Sequence, residues 1–74
     1  MNRYQRMKDL RTDHDLSQAN IAELLQTTVQ QVSKWETGKQ MMGIDKYIIL
    51  ARYYNVSLDY LCGLIDEPKK LTDK

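Results

Sequence analysis

Gln30, Lys34 and Thr37 recur every three to four residues, with Ser33 beside them and Val29 one step earlier. On a helix turning 100° per residue, Gln30, Lys34 and Thr37 share the side opposite Val32 and Trp35. Ser33 falls on the shoulder and Val29 nearer the boundary, while Thr28 and Glu36 flank the apolar side. The chemistry open to such residues is recognition by hydrogen bonding rather than bond making. A glutamine amide can pair with adenine N6 and N7, an ammonium can donate to guanine O6 and N7, and a valine can touch a thymine methyl. These are the edges a duplex shows in its major groove, and the N-terminal residues of a helix lying there read most of them. Any amphipathic helix has a polar outer face, so the face by itself decides nothing. What distinguishes this one must come from the elements that hold it.

Ser17 to Glu36 reads as two short helices joined by a tight turn. Ser17 is a good N-cap for the first of them, which turns Ile21, Ala22 and Leu25 inward. Ala22 supplies the small side chain that close helix–helix approach requires. The turn falls at Gln26-Thr27, and Thr28 then opens a capping box whose Gln31 reaches back to the cap's own N–H. The polar-faced helix runs to about Thr37, where Gly38 stops it. A connection this short restricts the pair to a helix-turn-helix arrangement.

Three more helices complete the expected set, and no strand pattern appears. One precedes the pair, from Arg3 to Thr12, carrying Tyr4, Met7 and Leu10 and ending at Asp13-His14-Asp15, where Asp15 can adopt the left-handed conformation. After a linker over Lys39 to Met42, a fourth runs from Ile44 to Tyr54 and ends at Asn55. Ser57 caps a fifth, from Leu58 to about Cys62, with Asp59 near its positive end. The sequon Asn55-Val56-Ser57 is therefore read as a helix end and a cap. Asp66 to Lys74 holds the single proline and is expected to fray.

Composition bounds the rest. Seventy-four residues, 42% hydrophobic and 28% charged, describe one small globular domain. No apolar run approaches the roughly 18 residues of a membrane span, and Met1-Asn2-Arg3 leads into polar periodic sequence without a secretory pattern. The lone Cys62, between apolar neighbours, reads as packing in a reducing cytosol. A net charge of +1 neither supports nor excludes nucleic acid as a partner. His14 has no second histidine or cysteine nearby, and Asp13-His14-Asp15 reads as a solvated helix end. No glycine-rich phosphate loop or nucleophile motif is present, so neither an enzyme, nor a metal or cofactor site, nor a small-molecule ligand is expected. Phosphate anchors are expected at Gln18, which opens the second helix, and at Lys39 just past the third, with Lys46 a weaker candidate. Arg3 and Arg6 read as solvated arginines of the first helix.

The chain resembles the Cro and phage-repressor type of helix-turn-helix domain, also called XRE-type or lambda-repressor-like. The resemblance rests on Leu10-Arg11, Leu16-Ser17-Gln18, Ile21-Ala22, Val32-Ser33-Lys34-Trp35-Glu36, Gly38-Lys39, Leu50-Ala51 and Val56-Ser57-Leu58-Asp59-Tyr60-Leu61. It spans Tyr4 to Leu64 and implies an all-α fold of five helices, with the helix-turn-helix formed by helices 2 and 3. The expected organisation is a domain over 4–65, its motif at 17–36, and a polar tail over 66–74. The resemblance implies base reading by Val29, Gln30, Ser33 and Lys34, and phosphate contacts from Gln18, Thr28 and the stretch after Gly38. It also implies an ion pair between Arg11 and Glu36, which would clamp the third helix at its angle. Departures are Asp15 and Gln26, where glycine is usual, and Met42-Gly43, where proline and serine are common.

The expected partner is a double-stranded DNA operator, bound in a bacterial or phage cytoplasm by a regulator that represses through occupancy. At this length no effector domain is expected. The fourth helix is apolar beyond one face. Its excess, Ile49 and Tyr53 with Leu58 and Tyr60, either forms a homodimer surface through helices 4 and 5 or completes a small core. The rival to DNA binding is an antitoxin-like or adaptor protein-interaction module on the same fold.

Overall fold

In the computed structural model, which describes residues 2–68, five helices follow one another: α1 (Arg3–Asp13), α2 (Gln18–Leu24), α3 (Val29–Thr37), α4 (Ile44–Tyr54) and α5 (Leu58–Leu61). No strand occurs among the described residues, and the tail beyond Pro68 lies outside them. The boundaries fall within a residue of those expected from pattern, because the helix ends are written in local chemistry.

Four of the five helices begin on a side-chain cap. Asn2 accepts from the Gln5 amide at 2.9 Å, Ser17 from Asn20 at 3.0 Å, Thr28 from Gln31 at 3.1 Å and Ser57 from Tyr60 at 3.2 Å. Each such cap contributes about 1 kcal/mol by satisfying an N–H that has no partner within its helix. Gly43, at the start of α4, offers no side chain for the task.

All five helices end in one way. A residue with positive φ follows the last turn: Asp15 (55°), Gln26 (56°), Gly38 (80°), Asn55 (55°) and Gly63 (81°). The amide one residue further on then returns to a carbonyl five back: Leu16 to Arg11, Thr27 to Ala22, Lys39 to Lys34, Val56 to Ala51 and Leu64 to Asp59, at 2.8–3.0 Å. This is the Schellman closure. Asp15 and Gln26 take the left-handed conformation although glycine enters it at lower cost.

The core gathers one stripe from each helix: Met7 and Leu10, Ile21 and Ala22 with Leu25, Val32 and Trp35, Tyr47, Leu50, Ala51 and Tyr54, then Val56 and Leu61. Met42 belongs to it as well, so the expected linker is anchored by a buried side chain rather than loose at its end. Leu16, Leu58, Tyr60 and Cys62 pack against the margin. Burial pushes the Cys62 thiol above its usual range, as suits a packing role.

Arg6 departs from expectation. It is only 4% exposed, with Nη1 donating to the carbonyls of Tyr60 (2.7 Å) and Ile65 (3.1 Å). Its guanidinium lies 3.9 Å over the Tyr60 ring, and Nη2 stands 3.5 Å from Asp66. A planar cation that can stack while donating in its own plane suits this place, where α1 meets the carbonyl end of α5.

Gly38 is constrained twice, by its positive φ and by the Tyr4 ring, which lies 2.8 Å from where a Cβ would stand. Gly38→Ala is expected to lower unfolding stability by about 2 kcal/mol, from left-handed strain plus displacement of Tyr4. Urea denaturation reads this directly. A loss no larger than that of an exposed surface substitution would show that Tyr4 does not hold the end of α3.

Candidate nucleic-acid interface

The helix that carries the recognition face is fixed at its far end by charge. Arg11, on the last turn of α1, donates through Nε to Glu36 Oε2 at 2.7 Å and through Nη2 to Oε1 at 3.2 Å. Its Nη1 reaches the Leu16 carbonyl at 2.9 Å in the turn before α2. The Glu36 side chain is 3% exposed and that of Arg11 12%. Gln18 adds a third member, donating from Nε2 to Glu36 Oε1 at 3.0 Å. The pair expected between Arg11 and Glu36 is thus present as a bidentate fork, and it joins α1, α2 and α3 at one point. Tyr54 closes the neighbourhood. Burial chiefly, then Tyr53, pushes its phenol up to about 12, with lesser opposed effects from Glu36 and Arg11.

On the other side of α3 the four expected base readers share one face, at positions i, i+1, i+4 and i+5 of the helix. Val29 is 41% exposed, Gln30 and Lys34 are exposed, and Ser33 is half-buried on the shoulder. The Thr37 hydroxyl turns back to donate to the Ser33 carbonyl at 2.9 Å, so it closes the last turn. Thr28 stands exposed at the mouth of the helix as its cap. Lys39 is exposed immediately after Gly38.

Three polar side chains take partners other than those expected. Gln18, expected at phosphate, gives one amide hydrogen to Glu36. Gln31 does not return to its own cap but donates to Gln40 Oε1 at 2.6 Å, tying α3 to the loop behind it. The reciprocal capping box lies at α2, where Asn20 Oδ1 accepts from the Ser17 amide at 2.9 Å. Lys46 Nζ is bonded to the Leu25 carbonyl at 3.0 Å, so the weaker phosphate candidate faces the turn of the motif. A signal for the α2 box was present in Ser17-x-x-Asn20, since asparagine can accept where glutamate ordinarily does. Nothing local could have announced the Gln31 and Lys46 bonds, whose partners are nine and twenty-one residues away.

Among the described residues no cluster of three histidine, cysteine or acidic side chains could hold a metal ion. No helix among them is long and apolar enough to cross a membrane.

A family profile described as helix-turn-helix matches residues 7–61. The chain is 38% identical over 64 residues to the uncharacterized HTH-type transcriptional regulator YobD of Bacillus subtilis (strain 168), covering 86% of this chain and 57% of that protein. It is 30% identical over 57 residues to the HTH-type transcriptional activator BcrR of Enterococcus faecalis, covering 77% of this chain and 28% of that one. The chain therefore spans just over half of one relative and under a third of the other. Among solved structures, a transcriptional regulator from Listeria innocua superimposes with a TM-score of 0.82 at 27% identity, over 99% of this chain and 65% of that one. The P22 c2 repressor, solved in complex with a synthetic operator, superimposes with a TM-score of 0.76 over 85% of this chain and 96% of its own. At 19% identity that likeness is one of fold.

The clamp makes a sharp prediction. Arg11→Met strands a buried carboxylate and is expected to cost about 3 kcal/mol in urea unfolding, whereas pairing it with Glu36→Leu recovers most of that loss. Equal losses in the single and double variants would mean that packing of the arginine stem, not charge, holds the joint.

Proposed function

This chain belongs to the helix-turn-helix family of the Cro and phage-repressor type, and we propose that it is a transcriptional regulator that binds double-stranded DNA sequence-specifically, setting α3 into the major groove. The observation that carries the reading is the α3 face itself. Val29, Gln30, Ser33 and Lys34 stand together on one side of a helix whose opposite side is locked by Val32, Trp35 and the Glu36 clamp. Gln30 is suited to adenine, Lys34 to guanine and Val29 to a thymine methyl, with Ser33 adaptable to either kind of edge. Thr28 and Lys39 flank that face and are assigned to phosphate. Gln18 joins them through the second hydrogen of the amide it offers Glu36, which would couple backbone contact to the clamp.

The unit that performs this is taken as residues 4–65, acting in the cytoplasm. Repression by occupancy of an operator is the simplest regulatory outcome of a domain whose organised surface is a DNA-reading face. Gln30→Ala and Lys34→Ala are expected to abolish selective binding to the duplex that the wild-type chain recovers from a random-sequence pool, with thermal unfolding unchanged. Unaltered affinity in both would move the reading to a protein-interaction module.

A homodimer is proposed through α4. Ile49 (37% exposed) and Tyr53 (52%) lie on one stripe with Ile48 and Arg52, while Leu58 and Tyr60 are largely taken up by the core and by Arg6. Two copies joined there would present two α3 helices to successive turns of the duplex, about 34 Å apart. Sedimentation at micromolar concentration is expected to give a dimer that Tyr53→Lys converts to monomer. A monomer both with and without the selected duplex would remove the dimer.

A further inference from the structure

We propose that Lys46 is a positioning residue for DNA reading: from α4 its ammonium grips the Leu25 carbonyl at the end of α2, and so sets where the turn delivers α3. The proposal rests on the DNA-binding reading above.

Leu25 is the C-cap of α2, and its side chain is fully buried. The next residue, Gln26, is left-handed, and Thr28 two residues later is already the cap of α3. The Leu25 carbonyl therefore belongs, with the Gln26 and Thr27 amides bonded to Glu23 and Ala22, to the last backbone anchors before the recognition helix. It points out of the carbonyl end of α2, where the helix dipole concentrates negative charge. The last turn of α2 carries no basic residue. Lys46 supplies the missing cation from a different helix, at 3.0 Å and half-buried. Its backbone is pinned in turn, since the Lys46 amide bonds the Gly43 carbonyl at 3.1 Å and the neighbouring Tyr47 ring is buried in the core.

The consequence is geometric. Bidentate contacts to a base edge tolerate only a few tenths of an ångström and weaken steeply off axis. A turn free to shift would leave α3 folded yet set at the wrong depth. Lys46 thus acts on specificity through Leu25, without touching a base. An ammonium aimed at a phosphate would instead contribute sequence-independent affinity and a counterion-release term.

The test uses the full chain and the duplex that wild type selects from a random-sequence pool. Lys46→Met is expected to weaken binding about tenfold, as loss of a charge-assisted hydrogen bond does, with the slope of log Kd against log salt unchanged. Single base-pair changes in the duplex are expected to be discriminated less well than by wild type. Lys46→Arg, which can still reach the carbonyl, restores both. A slope shallower by about 0.9 in Lys46→Met would identify a phosphate contact and overturn the proposal, as would an unchanged Kd.

Amide exchange in the free protein is the second measurement. The Gln26 and Thr27 amides, bonded to Glu23 and Ala22, are expected to exchange at least about threefold faster in Lys46→Met relative to α1 amides. Acceleration spread evenly over all helices would mean general destabilisation and also overturns the proposal. If wild type selects no duplex, the DNA reading itself fails and the specificity role falls with it. The exchange data then still separate that failure from the state of the turn.

Discussion

The buried fork between Arg11 and Glu36 is the constraint on which the rest of the molecule depends. A nine-residue helix whose outer face is polar has little reason to persist alone in water, since isolated helices of that length are marginal. Its apolar side, Val32 and Trp35, gives it a place on the core but leaves its angle loosely specified. Two charges taken out of water contribute little net stability, yet each tolerates only the position in which the other sits. Arg11 further spends a donor on the Leu16 carbonyl, and Gln18 adds one to Glu36. The start of the motif and the end of α3 are thereby referred to the same point on α1.

Around that joint the chain repeats one economical device. Every helix is closed by a left-handed residue and a hydrogen bond returning five residues, whether the residue is glycine, asparagine, aspartate or glutamine. Sharp closures keep the connections short, and short connections let 74 residues enclose a core at all. Where a helix end lacks a local side-chain partner, contacts from other parts of the chain support it. Gly43 has no side chain for α4, and the loop before it is held by the buried Met42. The last turn of α2 has no cation, and Lys46 reaches across from α4. Arg6 does the same for the carbonyls around Tyr60 and Ile65.

The candidate site shows how such supports divide the labour of the polar side chains. Gln30 and Lys34 are left exposed, and no side chain among the described residues claims them. Gln18, Gln31 and Lys46 look equally available in the sequence, but each is drawn into an internal bond. Their amide and ammonium groups organise the surface that the others present.

What the sequence determined by itself is most of what neighbours a few residues apart govern. Capping residues, left-handed stops and apolar spacing marked all five helices, and the outward face of α3 followed from helical periodicity alone. The Arg11–Glu36 pair was expected only through family resemblance, because twenty-five residues separate its members. Tertiary structure decided which polar side chains are spoken for. Arg6 looked solvated and is buried, Lys46 looked like a phosphate anchor and is bonded to the turn of the motif, Gln31 looked like a cap and ties down a loop, and Gln18 gives one amide hydrogen to Glu36. The physical reason is the same in each case. A long polar side chain commits itself to whichever partner the packing of distant helices brings within about 3 Å, and no local pattern encodes that distance.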